Sequence, residues 1–424
     1  MLDINYIREN ADTVTKACKN KQLDSSIVDQ LLAVDKKRRE LQVKVDALKK
    51  QSNDHVKTIK EAVHAGGIPT PEQISKGKEI KAEIQAVEPE QKIVQEEFEK
   101  LMYQIPNVPA DDVPVGTNED GNIVDRVVGD VTKFDFKAKQ HHELMEDLDI
   151  LDTKRAVKIG GFRSYFLKGD GLLLEQAVLA YALNLLNTAG FTPMSAPILV
   201  NEEVMWGTGY LPWGKEDHYY TQDGDILAGT SEVALTAYHM GETLTEKDLP
   251  IKMCGLSPCF RREVGTHGKD TQGIVRVHQF NKVEQVVYTI ADEQETRAWH
   301  KKMTGFSEQL LKDLGLPYQV LLMCTGDMGA GQRKKYDIET WFPGQNKYRE
   351  THSASYFNDF QARRLNIKYQ ASDGTTKYVY TLNNTMAATP RLLAAIIENY
   401  QQIDGTIKVP KVLVPYMGKE TIGK

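Results

Sequence analysis

Between residues 31 and 105, mostly apolar side chains recur at steps of three and four in two stripes, with Arg38, Ser52, His55 and Gln91 as polar exceptions. The first runs Leu31, Val34, Arg38, Leu41, Val45, Leu48, Ser52, His55 and Ile59; the second runs Ile80, Ile84, Val87, Gln91, Val94, Phe98, Leu101 and Ile105. Steps of three and four keep one helix face apolar over many turns, which is the seam of a coiled coil. Between the stripes lies Ala65-Gly66-Gly67-Ile68-Pro69-Thr70-Pro71, and such a Gly/Pro cluster interrupts a helix. Two helices of similar length joined this way fold back on each other, so the spacing predicts an antiparallel coiled-coil arm of roughly 45 Å at about 1.5 Å of rise per residue. Pro89 removes a backbone donor inside the second helix and is expected to kink it.

The two helices differ in charge. Residues 31–60 carry nine Lys or Arg against four acids, whereas residues 72–100 carry five Lys against eight Glu. The first helix can therefore track phosphates, or it can be the solvated face of a coiled coil; its residues alone leave both readings open. The net charge of −6 over 424 residues gives no bulk attraction to nucleic acid, so any such site is a local patch. No apolar run approaches the roughly 18 residues of a membrane helix, and the N-terminal MLDINYIREN carries acids and no apolar run. A cytoplasmic protein with no membrane partner is expected. Cys18, Cys254, Cys259 and Cys324 are too scattered for a disulfide framework and fit no usual zinc or redox spacing, so they are read as reduced, buried thiols.

Residues 1–110 are expected to form the helical domain with its arm. Residues 111–130, rich in Pro, Asp, Gly and Asn, are expected as a linker, and 131–424 as the second domain. In that domain strand-like runs alternate with helical stretches such as 172–186 and 392–400, which points to an α+β body with an antiparallel sheet and flanking helices. No GxGxxG or Walker-type loop occurs, so neither of those nucleotide sites is supported. The stretch Cys259-Phe260-Arg261-Arg262-Glu263, the Gly- and charge-rich segment 264–276, and His278-Gln279-Phe280-Asn281-Lys282-Val283-Glu284 have the layout of two antiparallel strands and a loop. An Arg fork can grip a phosphate, a carboxylate can accept from an exocyclic amine, and an aromatic ring can stack on adenine.

This segment resembles motif 2 of class II aminoacyl-tRNA synthetases, in the form found in the seryl-tRNA synthetase family. The resemblance covers essentially the whole chain. Gly190-Phe191-Thr192-Pro193-Met194-Ser195-Ala196-Pro197 is similar to motif 1. Thr381-Leu382-Asn383-Asn384-Thr385 through Arg391, then Glu398-Asn399-Tyr400-Gln401, is similar to motif 3. Thr230-Ser231-Glu232 resembles the family's Thr-x-Glu substrate motif, and Tyr348-Arg349-Glu350-Thr351-His352-Ser353 its metal- and ATP-binding strand.

The resemblance implies a class II catalytic domain over 131–424 and an N-terminal arm that holds the long variable arm of a tRNA. It also implies ATP-dependent activation of L-serine to seryl-adenylate and transfer to tRNA(Ser), with tRNA(Sec) left open as a second acceptor. Further implied are Mg²⁺ as cofactor and a homodimer built around motif 1. Catalytic roles fall to Arg261, between the α-phosphate and the serine carboxylate, and to Arg391 on the γ-phosphate. Arg262, Glu263, Val277, Phe280, Glu350, Thr351, His352 and Ser353 complete the ATP site, with Glu350 and Ser353 holding the metal. Thr230, Ser231, Glu232, Arg261, Glu284, Asn383 and Thr385 form the serine site, where Thr230 and Glu232 take the ammonium and Glu284 and Thr385 the hydroxyl. The loop 267–276 is implied to meet the tRNA acceptor end.

The chain departs from the family pattern at Asn384, Met386 and Pro390 in motif 3 and at His352 and Tyr356 in the metal strand. Two other readings follow from these departures: a class II paralogue charging another small amino acid, and a tRNA-binding protein without catalysis. Glu284 and Thr385 speak against the first. Arg261, Glu263, Glu350 and Arg391 kept together speak against the second.

Overall fold

The computed structural model describes residues 1–264 and 272–423. They form two compact units, one of residues 2–19 and 23–106, the other of residue 1, 20–22 and the described residues from 107 onward.

The first unit is helical: α1 (Ile4–Glu9), α2 (Ala11–Asn20), α3 (Ser26–His64) and α4 (Pro71–Gln104). The two long helices have 39 and 34 residues, about 58 and 51 Å at about 1.5 Å per residue. Helix α3 outruns its apolar stripe at both ends and α4 at its start, where a cap sets the end. At the start of α4 the Thr70 hydroxyl accepts from the Gln73 amide, the Gln73 side chain accepts from the Thr70 amide, and Pro71 occupies the first turn. Leu41, Val45 and Leu48 pack against Val87 and Val94, with Val34 and Ile84 alongside. Lys37 pairs with Glu90, Gln91 bonds Gln42, and His55 bonds the Gln73 carbonyl. Residues early in α3 meet residues late in α4, and His55, late in α3, meets Gln73 near the start of α4, so the pair is antiparallel as the stripes predict. The helix α4 runs on through Pro89 as one element. Near its start, α3 carries a fully buried Asp35 that accepts from Arg8, Arg38 and Arg39 at 2.8 to 3.1 Å.

The second unit is built on eight strands: β1 (Ile123–Val128), β2 (Thr192–Ser195), β3 (Ile251–Phe260), β4 (Gln279–Thr289), β5 (Tyr318–Leu322), β6 (Lys334–Phe342), β7 (Lys347–Asn358) and β8 (Tyr380–Ala388). Their order is β1-β5-β6-β7-β8-β4-β3-β2, antiparallel throughout except for β2 beside β3. Helices α5 (Asp170–Thr188), α6 (Glu293–Asp313) and α7 (Thr389–Asn399) bury Leu174, Val178, Met303, Leu310, Leu392 and Ile396 in one core with Val283, Val287, Ile338, Phe342 and Leu382 of the sheet. This is the α+β arrangement expected. The stretch 111–130, read as a linker, contributes the edge strand β1. Ile123, Val124, Val127 and Val128 are β-branched, and the strand they form pairs with β5. The motif 1 segment is a helix-to-strand element, α5 turning through Gly190 (φ +83°) into β2.

Candidate active site

Strands β4, β6, β7 and β8, with the segment that follows β3, surround one cavity of about 250 Å³. Side chains alternate across a strand, so Phe280, Lys282 and Glu284 of β4 share a face, and all three line the cavity. Across the ladder, Glu284 stands opposite Thr385 of β8, whose hydroxyl donates to Glu284 Oε2 at 3.5 Å. Lys282 forms a buried ion pair with Glu284 and donates to Thr230 Oγ1 at 2.7 Å. Beside them, Glu232 accepts from the Tyr210 hydroxyl at 2.7 Å and from Gln361 Nε2 at 3.0 Å. Burial, reinforced by the charge of Glu284, pushes the Glu232 carboxyl up to about 7. Burial also raises Glu284, with Lys282 restraining the rise. Lys282 thus serves Glu284, while Glu232 is held by neutral donors: a carboxylate that a bound ammonium can neutralise.

Elsewhere on the cavity wall, Arg391 in the first turn of α7 donates to the Glu350 carbonyl and to Glu350 Oε2, both at 3.0 Å, and to the Val275 carbonyl at 3.1 Å. Burial opposes ionisation of Glu350, but Arg391 and Lys335 outweigh it and hold the carboxyl well below the usual carboxylate range. Lys335 pairs with Asp337 at 2.8 Å. Burial and the nearby Glu350 raise Asp337, whose second oxygen has no hydrogen-bond partner. The Arg261 guanidinium lies 5.4 Å from the centre of the Phe280 ring, and its Nε donates to the Gly229 carbonyl. Glu263, in the left-handed region at φ +54°, accepts from Arg276 at 3.0 Å. The arrangement offers two guanidiniums and a lysine for phosphates, an aromatic face for a base, and an acidic corner for an amine.

Residues 1–109 match the family model for the seryl-tRNA synthetase N-terminal domain, and residues 219–400 match the tRNA synthetase class II core domain (G, H, P, S and T). Over its whole length the chain is 42% identical to the serine--tRNA ligase of Deinococcus radiodurans, of which it covers 99%, and 38% identical to that of Treponema denticola, covering all of it. This chain belongs to the seryl-tRNA synthetase family. Its structure is similar to that of seryl-tRNA synthetase from Pyrococcus horikoshii complexed with ATP (TM-score 0.92, 38% identity, all of this chain and 99% of that one). It is also similar to the cytoplasmic serine-tRNA ligase of Naegleria fowleri in complex with AMP (TM-score 0.88, 35% identity, the same coverage). By class, this seryl-tRNA synthetase family member is a serine--tRNA ligase.

Most of the side chains expected from the family motifs converge: Arg261, Glu263, Val277, Phe280, Glu350, Thr351, His352, Ser353 and Arg391 line the cavity together with Glu232, Glu284, Asn383 and Thr385. Three do not reach it. Arg262 points away, donating to the Glu216 carbonyl while its amide donates to the Asp217 carbonyl. Thr230 and Ser231 are buried behind the wall, their hydroxyls taken by Lys282 and by Ser257. Residues 267–271 of the loop 267–276 lie outside the described residues. Tyr210, Lys282 and Lys335 line the cavity without having been singled out. The two-residue alternation that selects Phe280 and Glu284 selects Lys282 as well; for Tyr210 the sequence carries no comparable signal.

The departures from the seryl-tRNA synthetase pattern also find their places. Pro390 lies in the first turn of α7, where no backbone donor is needed. Asn384 donates to the Met303 carbonyl and to Ser307 of α6 at 2.7 and 2.9 Å, tying β8 to the helix behind it. His352 is buried with both ring nitrogens engaged, Nε2 donating to the Met386 carbonyl at 3.1 Å and Nδ1 facing the Thr351 hydroxyl at 2.9 Å. Burial lowers it to about 4, so the ring is neutral near pH 7.

Proposed function

We propose that this protein activates L-serine with ATP and transfers it to tRNA(Ser), with tRNA(Sec) a second candidate acceptor. The observation that carries the reading is the single cavity in which phosphate-binding cations, an aromatic wall and a hydroxyl-reading carboxylate meet. An oxygen of the serine carboxylate attacks the α-phosphorus of ATP, and the bond to the bridging oxygen breaks toward pyrophosphate. Such transfers depend on placement and charge neutralisation more than on a covalent nucleophile. Arg261 spans the serine carboxylate and the α-phosphate, and Arg391 takes the γ-phosphate. Phe280 stacks on adenine while Glu263 accepts from its amine. Thr230 and Glu232 serve the ammonium end; Glu232 neutralises the charge, and Thr230 acts from behind it, its hydroxyl accepting from the Glu232 amide. Glu284 and Thr385 read the hydroxyl, beside Asn383. The ribose hydroxyl at the tRNA end then attacks the seryl carbonyl carbon and AMP leaves.

Glu350 and Ser353 are the oxygen donors that would hold Mg²⁺. Beside them a buried Asp337 oxygen lacks a partner, a hard-oxygen setting that suits an ion retaining water and phosphate ligands. When bound, the ion neutralises phosphate charge. Residues 1–110 are assigned to holding the tRNA through the basic face of α3, and 131–424 to catalysis. A homodimer through motif 1 belongs to the same reading. No described helix is long and apolar enough to cross a membrane, and we place the protein in the cytoplasm. Pyrophosphate exchange into ATP, run with serine, threonine, alanine and glycine, tests the proposal. Stimulation by serine above the other three is expected; its absence refutes the assignment.

A further inference from the structure

The buried His141 has no part in the chemistry above, yet it joins three pieces of the cavity wall. Its Nε2 accepts from the Ile274 amide at 3.3 Å and its Nδ1 faces Glu398 Oε1 at 2.9 Å, so the Nδ1 proton points at the carboxylate. The side chains of His141 and Glu398 are 2% and 0% exposed. Gly273 shows how closely the loop approaches: a Cβ there would lie 2.1 Å from His141 Nε2, and its φ is +70°. Glu398 also accepts from the Gly344 amide and from Gln345 Nε2, at 2.9 and 3.0 Å. Those two residues form the turn between β6 and β7, the strand that carries Glu350.

Glu398 lies seven residues after Arg391 on α7, two turns along the same face. Arg391 donates to the Val275 carbonyl. One helix therefore grips adjacent residues of the loop limb from both of its ends, through Arg391 on Val275 and through Glu398 and His141 on Ile274. Val275 and Val277, on that limb, line the cavity.

We infer that His141 is a positioning residue, which with Glu398 clasps the loop limb 273–277 to α7 so that the nucleotide wall and the γ-phosphate cation are held by one element. The inference rests on the serine-activating reading for its kinetic test and stands without it in its structural one. His141→Asn keeps a donor near the Nδ1 position and loses the acceptor for Ile274. His141→Gln places an acceptor near Nε2 and loses the donor. In serine-dependent pyrophosphate exchange, H141N is expected to raise KM for ATP by about fivefold, the effect of one lost hydrogen bond, with the serine KM within about twofold of wild type. H141Q is expected to restore the ATP value even where its thermal midpoint falls as far as that of H141N. Hydrogen exchange of the full-length chain should show faster exchange of the Ile274 amide in H141N and wild-type protection in H141Q. Equal ATP KM values in the two variants, or unchanged Ile274 protection in H141N, overturn the clasp. If H141N does not fold, Glu398→Gln is expected to shift ATP KM and Ile274 exchange in the same direction by less, and no shift overturns the inference. A wild-type chain without serine-dependent exchange refutes the function proposed above, and Ile274 exchange still decides the clasp.

Discussion

Replacing Lys282 with Met removes the ammonium that pairs with Glu284 and leaves an apolar stem in its place. The lysine side chain is 5% exposed and the glutamate 2%, so the charge left behind cannot turn to water. Removing one partner of a buried pair costs about 3–5 kcal/mol while the survivor stays ionised. Protonating Glu284 is the easier outcome. For a carboxyl with an ordinary value of 4.5, it costs about 3.4 kcal/mol at pH 7 and about 1.4 kcal/mol at pH 5.5. Those figures are the part of the loss that varies with pH; the lost hydrogen bond to Thr230 adds a part that does not. The sign follows from the direction of the shift. Burial raises Glu284 above its unfolded value, so the folded chain holds the proton more tightly, and stability falls as pH climbs from 4.5 toward the raised value. Without Lys282 to restrain the rise, the variant falls more steeply. At about 2 °C per kcal/mol, the part that varies with pH should make its thermal midpoint by tryptophan fluorescence trail wild type by up to about 7 °C at pH 7 and about 3 °C at pH 5.5, with the constant part added at both. A deficit that stays constant with pH, or grows on acidification, refutes the reasoning.

The serine KM in the exchange reaction should rise as pH falls through about 7, because protonation of Glu232 removes the partner of the ammonium; Glu232→Gln should flatten that dependence, and a flat wild-type profile counts against the assigned role. Lys44, Lys49 and Lys57 are exposed on α3, and changing all three to Glu should weaken tRNA charging and lower its salt slope by about 0.9 for each phosphate no longer neutralised, while leaving serine-dependent exchange intact; an unchanged slope would remove this face from the tRNA site.

The arm was legible because a coiled coil is written locally: each seam residue announces itself three or four positions from the next. Its ends were less so. The Thr70–Gln73 box and the helical stretch before Leu31 are polar or short-range features outside the apolar stripe. In the body, Arg261, Glu284 and Arg391 could be placed because each sits in a recognisable motif. Tyr210 reaches Glu232 from a stretch with no pattern of its own, and such long-range meetings are set by packing. Arg262 shows the opposite error: adjacency to Arg261 in sequence does not give adjacency in the cavity, since consecutive residues of extended chain point to opposite sides. The edge strand β1 was hidden by the Pro- and Gly-rich residues around it.

The polar exceptions in the α3 seam grade its stiffness along its length. Fully buried residues of α3 end at Leu48 and those of α4 begin at Ile80. Beyond them the seam is kept by partly exposed residues: Ser52, Ile59, and His55 beside Gly77 and bonded to the Gln73 carbonyl. Near Asp35, three guanidiniums converge on one carboxylate and lock the start of the hairpin. Sparse burial means a low local cost of opening, so the hairpin behaves as a tapered cantilever, rigid near Asp35 and compliant toward Gly66. Such a beam can bend its far end to the contour of a curved, phosphate-lined surface without transmitting the strain to the residues that anchor it.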